Sequence, residues 1–146
     1  MRYHAIMHVV SIQPELVFQA LAEPTRIRVL RVLAVGREEA CLCELVDGLL
    51  EPQYKLSRHI KIMRQAGLLS AERDGRFVYH RLVVQPGYLR KLYAAIRALP
   101  ETGTFAADLR RFRDRMRLRE SGRCRIGIQS PSLAGAAQGP SFKRRA

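Results

Sequence analysis

Residues 52–83 read PQYKLSRHIKIMRQAGLLSAERDGRFVYHRLV, and this stretch decides the fold. Its first half places Leu56, Ile60 and Met63 at steps of three and four, the spacing of one apolar helix face. The pattern predicts a helix over residues 52–66, which begins at a proline and stops before a glycine. Polar and cationic side chains occupy most of the other faces of this helix.

The second half of the stretch has a shorter apolar period. Two strand-like runs, 68–73 and 77–83, follow Gly67. The dipeptide Asp74-Gly75 lies between them and is a strong signal for a two-residue hairpin turn. A helix followed at once by a hairpin is typical of a winged helix, in which the hairpin is the wing.

Helical patterns also flank the stretch. They cover residues 14–22, 24–36, 41–50, 86–99 and 105–118. The short helix over 41–50, a tight turn and the helix over 52–66 together form a helix-turn-helix. The predicted fold class is therefore mainly α with a small β-hairpin, a winged helix-turn-helix.

The elements divide the chain into four parts. They are an N-terminal arm (1–13), a winged helix-turn-helix DNA-binding domain (14–99), a C-terminal helix (105–120) and a basic tail (121–146). Gly, Ser, Pro, Ala and Arg dominate the tail, so we expect it to be disordered.

Composition limits the possible partners. The chain of 146 residues has 26 Lys and Arg against 13 Asp and Glu, a net charge of +13. That balance favours nucleic acid as the partner, ahead of an acidic membrane surface. No stretch approaches the roughly 18 apolar residues of a membrane span. The three cysteines are an odd number, and Cys41 and Cys43 are too close for an ordinary structural disulfide, so we expect free thiols in a reducing cytoplasm.

The helix over 52–66 has side chains suited to the major groove. Gln pairs well with adenine and Arg with guanine, whereas Lys more often contacts phosphates. The candidate DNA-binding residues of this helix are Gln53, Tyr54, Lys55, Ser57, Arg58, His59 and Lys61. Arg73 and Arg76 flank the wing tip, where they can follow the backbone or enter the minor groove. We expect His80, on the second strand, to be a surface residue.

Three motifs resemble those of the arsenical-resistance (ArsR/SmtB) repressors. They are VFQALAEPTRIRVL at 17–30, LSRHIK at 56–61 with AGL at 66–68, and DGR at 74–76 followed by Tyr79. The resemblance implies a homodimeric winged-helix repressor whose terminal helices build the dimer. It further implies that a bound metal or metalloid ion releases the repressor from its operator.

The resemblance also gives the cysteines a role. Cys41 and Cys43 occupy the place where arsenic- and cadmium-responsive members carry a Cys-x-Cys pair. Cys124 is the only other thiol of the chain and is the candidate third ligand, from the same subunit or from its partner. Some relatives carry their third thiol a few residues after the pair, where this chain has Val46, Asp47 and Gly48.

Ligand chemistry narrows the choice of ion. Soft thiolates select thiophilic ions, and three of them suit trivalent arsenic or antimony, with cadmium or lead as the alternative. Zinc prefers four ligands, and the helix after the wing (86–99) lacks the Asp, His and Glu with which some relatives bind it. His4 and His8 are expected to be exposed residues rather than ligands.

The spacing of the cysteine pair predicts a strained site. Positions two apart on a helix point about 200° apart, so Cys41 and Cys43 can share an ion only if the helix start is frayed or unwound. Such strain would tilt the helix that reads DNA or change the spacing of the two half-sites. We also expect Arg119, Arg123 and Arg125 to favour the thiolate of Cys124.

Three other functions remain open at this stage. A thiol enzyme is disfavoured, because no His lies near the pair in sequence and no catalytic signature or phosphate-binding loop is visible. A repressor of the same fold could respond to thiol oxidation instead of an ion. Finally, the basic tail alone could support non-specific, architectural DNA binding.

Overall fold

The computed structural model describes residues 13–134. In chain order the elements are α1 (Pro14–Leu21), α2 (Pro24–Gly36), β1 (Ala40–Cys41), α3 (Leu42–Leu49), α4 (Gln53–Gln65), β2 (Leu69–Asp74), β3 (Phe77–Leu82), α5 (Tyr88–Arg97), α6 (Gly103–Met116) and α7 (Pro131–Ala134). None of the helices in this part of the chain is long and apolar enough to cross a membrane. The N-terminal arm up to residue 12, with His4 and His8, lies outside the described residues.

The helix-turn-helix is formed by α3 and α4. The turn between them begins at Leu50, whose φ of 52° is left-handed and ends α3 sharply. The predicted apolar face of α4 is buried, with Leu56, Ile60 and Met63 all inside the core. Burying this face contributes most of the stability of such a helix, because isolated helices of this length are marginal in water.

The last long helix, α6, packs closely on α3. A Cβ atom at Gly48 would lie 3.1 Å from the Cβ of Phe112, so the approach of the two helices needs a glycine there. Arg28 of α2 and the buried Asp108 of α6 form a two-pronged ion pair, with N–O distances of 2.8 and 2.9 Å. These contacts fix α6 on the helix-turn-helix, so α6 is part of the same core.

The wing hairpin, β2 and β3, belongs to a three-stranded antiparallel sheet in the order β1-β3-β2. The predicted hairpin is present, but its two-residue turn is Gly75-Arg76 rather than Asp74-Gly75, because Asp74 still pairs with Phe77 in the sheet. Gly75 is left-handed in this turn (φ 62°). The two-residue strand β1 was not predicted, because so short a strand has no periodic signal. It pairs with β3, placing Ala40 opposite His80 and Cys41 opposite Tyr79. The winged helix-turn-helix fold class is thus confirmed.

Two sequence predictions need correction. His80 is buried rather than on the surface, and burial lowers its pKa to about 4, so its ring is neutral at pH 7. The predicted disorder from Ser121 does not hold for residues 121–134, which lie against the domain. Composition missed their order because their contacts, described below, are with residues distant in sequence. Residues 135–146 lie outside the described part.

Candidate metal centre

The three cysteine sulfurs converge in one small volume. The Sγ atoms of Cys41 and Cys43 are 3.1 Å apart, and those of Cys43 and Cys124 are 3.6 Å apart. All three sulfurs lie within 4.8 Å of one another. Cys41 and Cys124 are buried, whereas Cys43 is partly exposed. A single chain therefore supplies all three thiols.

The cysteine pair converges without distortion of α3. Cys41 is extended (φ −84°, ψ 162°) and precedes the helix, while Cys43 lies in its first turn. The carboxylate of Glu44 accepts the backbone N–H of Cys41 at 3.0 Å and contacts its Sγ at 3.1 Å. The expected 200° separation applied only if both residues were helical. Because Cys41 lies just outside the helix start, the pair meets as the frayed-start alternative requires, and no unwinding is needed.

The third thiol comes from residues 117–130, which we name the thiol loop. The backbone N–H of Cys124 donates to the hydroxyl of Tyr79 at 2.8 Å. Further along, Asp47 accepts the backbone N–H groups of Gln129 and Ser130 at 2.8 to 3.0 Å. These hydrogen bonds join the loop to the wing and to α3.

Arg115 is a central residue of the site that sequence reasoning missed. Its side chain is buried, and its Nε donates to Asp47 at 2.6 Å. Its Nη2 donates to the carbonyl oxygens of Ile126 and Gly127, and it lies 3.8 and 3.9 Å from the sulfurs of Cys43 and Cys124. The available signal was its position three residues after the buried Phe112, which puts an arginine on the apolar face of α6.

The electrostatics of the site favour a single thiolate. A hydrogen bond from the Cys41 thiol lowers the pKa of Cys43 to about 7; burial opposes the shift, and the charge of Arg115 adds to it. The same hydrogen bond, with burial, raises the pKa of Cys41. Burial also raises the pKa of Cys124. Near pH 7, Cys43 is therefore the nucleophilic sulfur of the three.

The expectation that nearby arginines favour the thiolate of Cys124 was wrong. Arg119 pairs with Glu44 at 2.7 Å, and Arg123 pairs with Glu39 and Asp74. Their charges are paired with carboxylates, so burial is the largest effect on the pKa of Cys124 and raises it.

The predicted DNA-reading residues fall into two groups. Exposed ones are Tyr54, Ser57, Arg58 and Lys61 on α4, and Arg73 and Arg76 on either side of the wing tip. Gln53, Lys55 and His59 are partly buried. Lys55 pairs with Glu51 at 3.0 Å, and the ring of His59 lies 3.4 Å from Arg26. Arg64 is a further exposed cation of α4.

A cleft of about 790 Å³ joins the thiol site to the surface predicted to bind DNA. It runs between α4 and the wing, where Gln53, Ser57 and Arg76 line it. Cys41 and Cys43 also line this cleft. The thiol site therefore opens onto the surface predicted to face DNA.

The chain is similar to proteins that are named as transcriptional regulators or repressors. The family model described as "Helix-turn-helix domain" matches residues 21–70. The arsenic resistance transcriptional regulator ArsR1 of Pseudomonas putida is 46% identical over 70 residues, covering 47% of this chain and 53% of the relative. An uncharacterized HTH-type transcriptional regulator of Methanocaldococcus jannaschii is 33% identical over 67 residues, 46% of this chain and 74% of the relative.

A third relative is the HTH-type transcriptional repressor SmtB of Mycobacterium tuberculosis. It is 45% identical over 64 residues, which cover 44% of this chain and 46% of the relative. The match thus spans about half the length of two of these three relatives. All three are named as transcriptional regulators or repressors, in agreement with the interpretation as a DNA-binding protein rather than an enzyme.

Proposed function

This chain belongs to the ArsR/SmtB family of helix-turn-helix transcriptional regulators, and we propose that it represses transcription as a homodimer on operator DNA. In this proposal trivalent arsenic or antimony binds Cys41, Cys43 and Cys124 and releases the repressor. The observation that carries the proposal is the convergence of the three sulfurs within 4.8 Å. A reducing cytoplasm, in which the thiols stay free, is the proposed location.

The donor set fits a trivalent thiophilic ion. All three donors are soft sulfurs, and arsenic and antimony in the trivalent state keep a lone pair and take three ligands. The charge balance points the same way. Three thiolates neutralise a trivalent ion, while the neighbouring pairs Arg115–Asp47 and Arg119–Glu44 are each neutral. A divalent ion such as cadmium or lead would leave one uncompensated negative charge in a largely buried site, which is costly.

The position of the site explains how it can act on DNA. Cys43 lies on α3, which leads directly into α4, and the site opens onto the cleft between α4 and the wing. An ion that binds one arrangement of these elements more tightly than another shifts the protein towards it. DNA and ion then weaken each other's binding by the same factor, typically about 5- to 150-fold.

Thiol oxidation is the second candidate. The contact of 3.1 Å between Cys41 and Cys43, and the pKa of about 7 for Cys43, favour it. An oxidant such as peroxide would take two electrons from Cys43, and a neighbouring thiol would then displace water to form a disulfide. This version keeps the fold and the DNA surface and replaces only the signal.

The test is binding to a fluorescent operator fragment from the protein's own promoter, with arsenite titrated in under reducing conditions. Wild type should leave the DNA at about one ion per subunit, and Cys41→Ser, Cys43→Ser and Cys124→Ser should stay bound. Arsenite that leaves wild type on the DNA would overturn the metalloid proposal. Release by peroxide but not by arsenite would select the redox alternative, and release by cadmium alone would select a divalent ion.

Two truncations serve as a matched pair. A chain ending at Glu120 loses Cys124 and should no longer respond to arsenite, whereas a chain ending at Ala134 keeps the whole described site and should respond. Sedimentation of the longer chain tests the homodimer. A salt titration of both, against full length, tests whether the basic tail adds salt-sensitive DNA affinity.

A further inference from the structure

We propose that the thiol loop transmits ion binding to the wing, with Arg123 and Tyr79 as the positioning residues that join the two. The inference rests on the proposed function and names its route of control. It differs from the route expected from sequence, which ran through strain in α3.

Arg123 joins the thiol loop to the wing tip. Its Nε and Nη2 donate to the same Asp74 oxygen at 2.9 and 2.5 Å. Its Nη1 donates to Glu39 at 2.8 Å, just before β1. Asp74 is the last residue of β2 and directly precedes the turn at Gly75. The residue next to the third thiol is thus paired with the tip of the hairpin.

Tyr79 makes the second connection. It is buried on β3, lies opposite Cys41 in the sheet, and accepts the backbone N–H of Cys124 through its hydroxyl at 2.8 Å. The guanidinium of Arg123 lies 3.9 Å from the centre of its ring. One wing residue therefore contacts both ends of the thiol cluster, and cation–π attraction adds to the hydrogen bond.

A tight turn just before Cys124 connects this thiol to the rest of the loop. Ser121 and Gly122 are both left-handed (φ 53° and 74°) and form a tight turn, closed by backbone hydrogen bonds between Glu120 and Arg123. Closing three sulfur–ion bonds fixes Cys124 relative to Cys41, and through this turn it fixes Arg123 as well. The ion thus stabilises the arrangement in which the wing tip is held against the loop.

This arrangement competes with DNA binding. The wing tip carries Arg73 and Arg76, which need freedom to follow the groove. The Arg123–Asp74 pair is partly exposed and easily broken, so without the ion the wing tip can move away from the loop while Tyr79 stays in place. Two arrangements, one favoured by the ion and one by DNA, are what reciprocal coupling requires.

The experiment measures a coupling ratio: the operator Kd at saturating arsenite divided by the Kd without it. Arg123→Gln removes both ion pairs and the cation over Tyr79, and should lower the ratio by about fivefold. Asp74→Asn, at an exposed position where folding is not at risk, should lower it by about threefold. Both variants should still bind one arsenite per subunit through three thiols. Arg117→Gln is the control: Arg117 is exposed, its ion pair among residues 13–134 is with Asp114, and its change should leave the ratio unaltered.

A conservative exchange gives the decisive result. Arg123→Lys keeps a cation beside Asp74 and Glu39 and should keep at least half of the coupling that Arg123→Gln loses, which a merely structural role would not produce. Wild-type release by arsenite together with unchanged ratios in Arg123→Gln and Asp74→Asn would overturn this inference alone. Failure of arsenite to release wild type would overturn the proposed function, and this inference with it.

Discussion

The pH dependence of ion binding distinguishes a trivalent metalloid from a divalent metal at this site. Arsenous acid is neutral near pH 7 and carries its own hydroxyl groups. Three thiols react with it to give three sulfur–arsenic bonds and three waters, with no net proton exchanged. When Cys43 is already a thiolate, the same reaction consumes one proton, because the third hydroxyl must still leave as water. Arsenite affinity should therefore be flat below the pKa of Cys43 and fall above it.

The pKa of about 7 for Cys43 sets the size of the effect. Between pH 6 and pH 8 its thiolate fraction rises from about 9% to about 91%, so arsenite binding should weaken by about tenfold. Cys41 and Cys124 have raised pKa values and stay protonated over this range. A divalent ion displaces every thiol proton as H⁺, about three at pH 6 and two at pH 8. Its affinity should therefore tighten by about five orders of magnitude.

Titration of the protein with arsenite, in the absence of DNA, measures this pH dependence of affinity directly. The sulfur–arsenic absorbance reports occupancy at each pH, and a pH indicator in weak buffer counts the protons taken up or released. Cadmium on the same protein is the matched comparison. An arsenite affinity that rises with pH, or net proton release on arsenite binding, would refute the single-thiolate description of the site.

Two further predictions concern single residues. Arg115→Gln removes the cation beside Cys43 and should raise the pKa of that thiol. If the pKa rises by about one, alkylation of Cys43 at pH 7 should slow by about fivefold, because less thiolate is present. Arg113→Gln, at an exposed position of the same helix, is the control and should leave the alkylation rate unchanged. Leu56→Ala removes a fully buried side chain of α4 and should lower the free energy of unfolding by about 3 kcal/mol in a urea titration. Ile62→Ala, 40% exposed on the same helix, should cost much less, and equal losses would contradict the proposed core.

The sequence determined the elements of this fold through local patterns. Steps of three and four place Leu56, Ile60 and Met63 on one helix face, and Asp74-Gly75 is a strong local signal for the hairpin, although the turn itself is Gly75-Arg76. Residues 52–83 also carry two of the three motifs by which the chain resembles its family. Helix bounds differ from the predicted ones by a few residues, because helix ends depend on capping rather than on period.

Only the tertiary structure decided the site. Cys43 and Cys124 are 81 residues apart, and their contact depends on how α6 packs against α3 and on Arg115, which binds the loop carbonyl groups. A periodic sequence pattern cannot predict this contact, because it forms only when segments distant in sequence are buried against each other. The order of the thiol loop has the same origin: its polar composition predicts disorder, but its backbone groups find buried or ion-paired partners elsewhere in the fold.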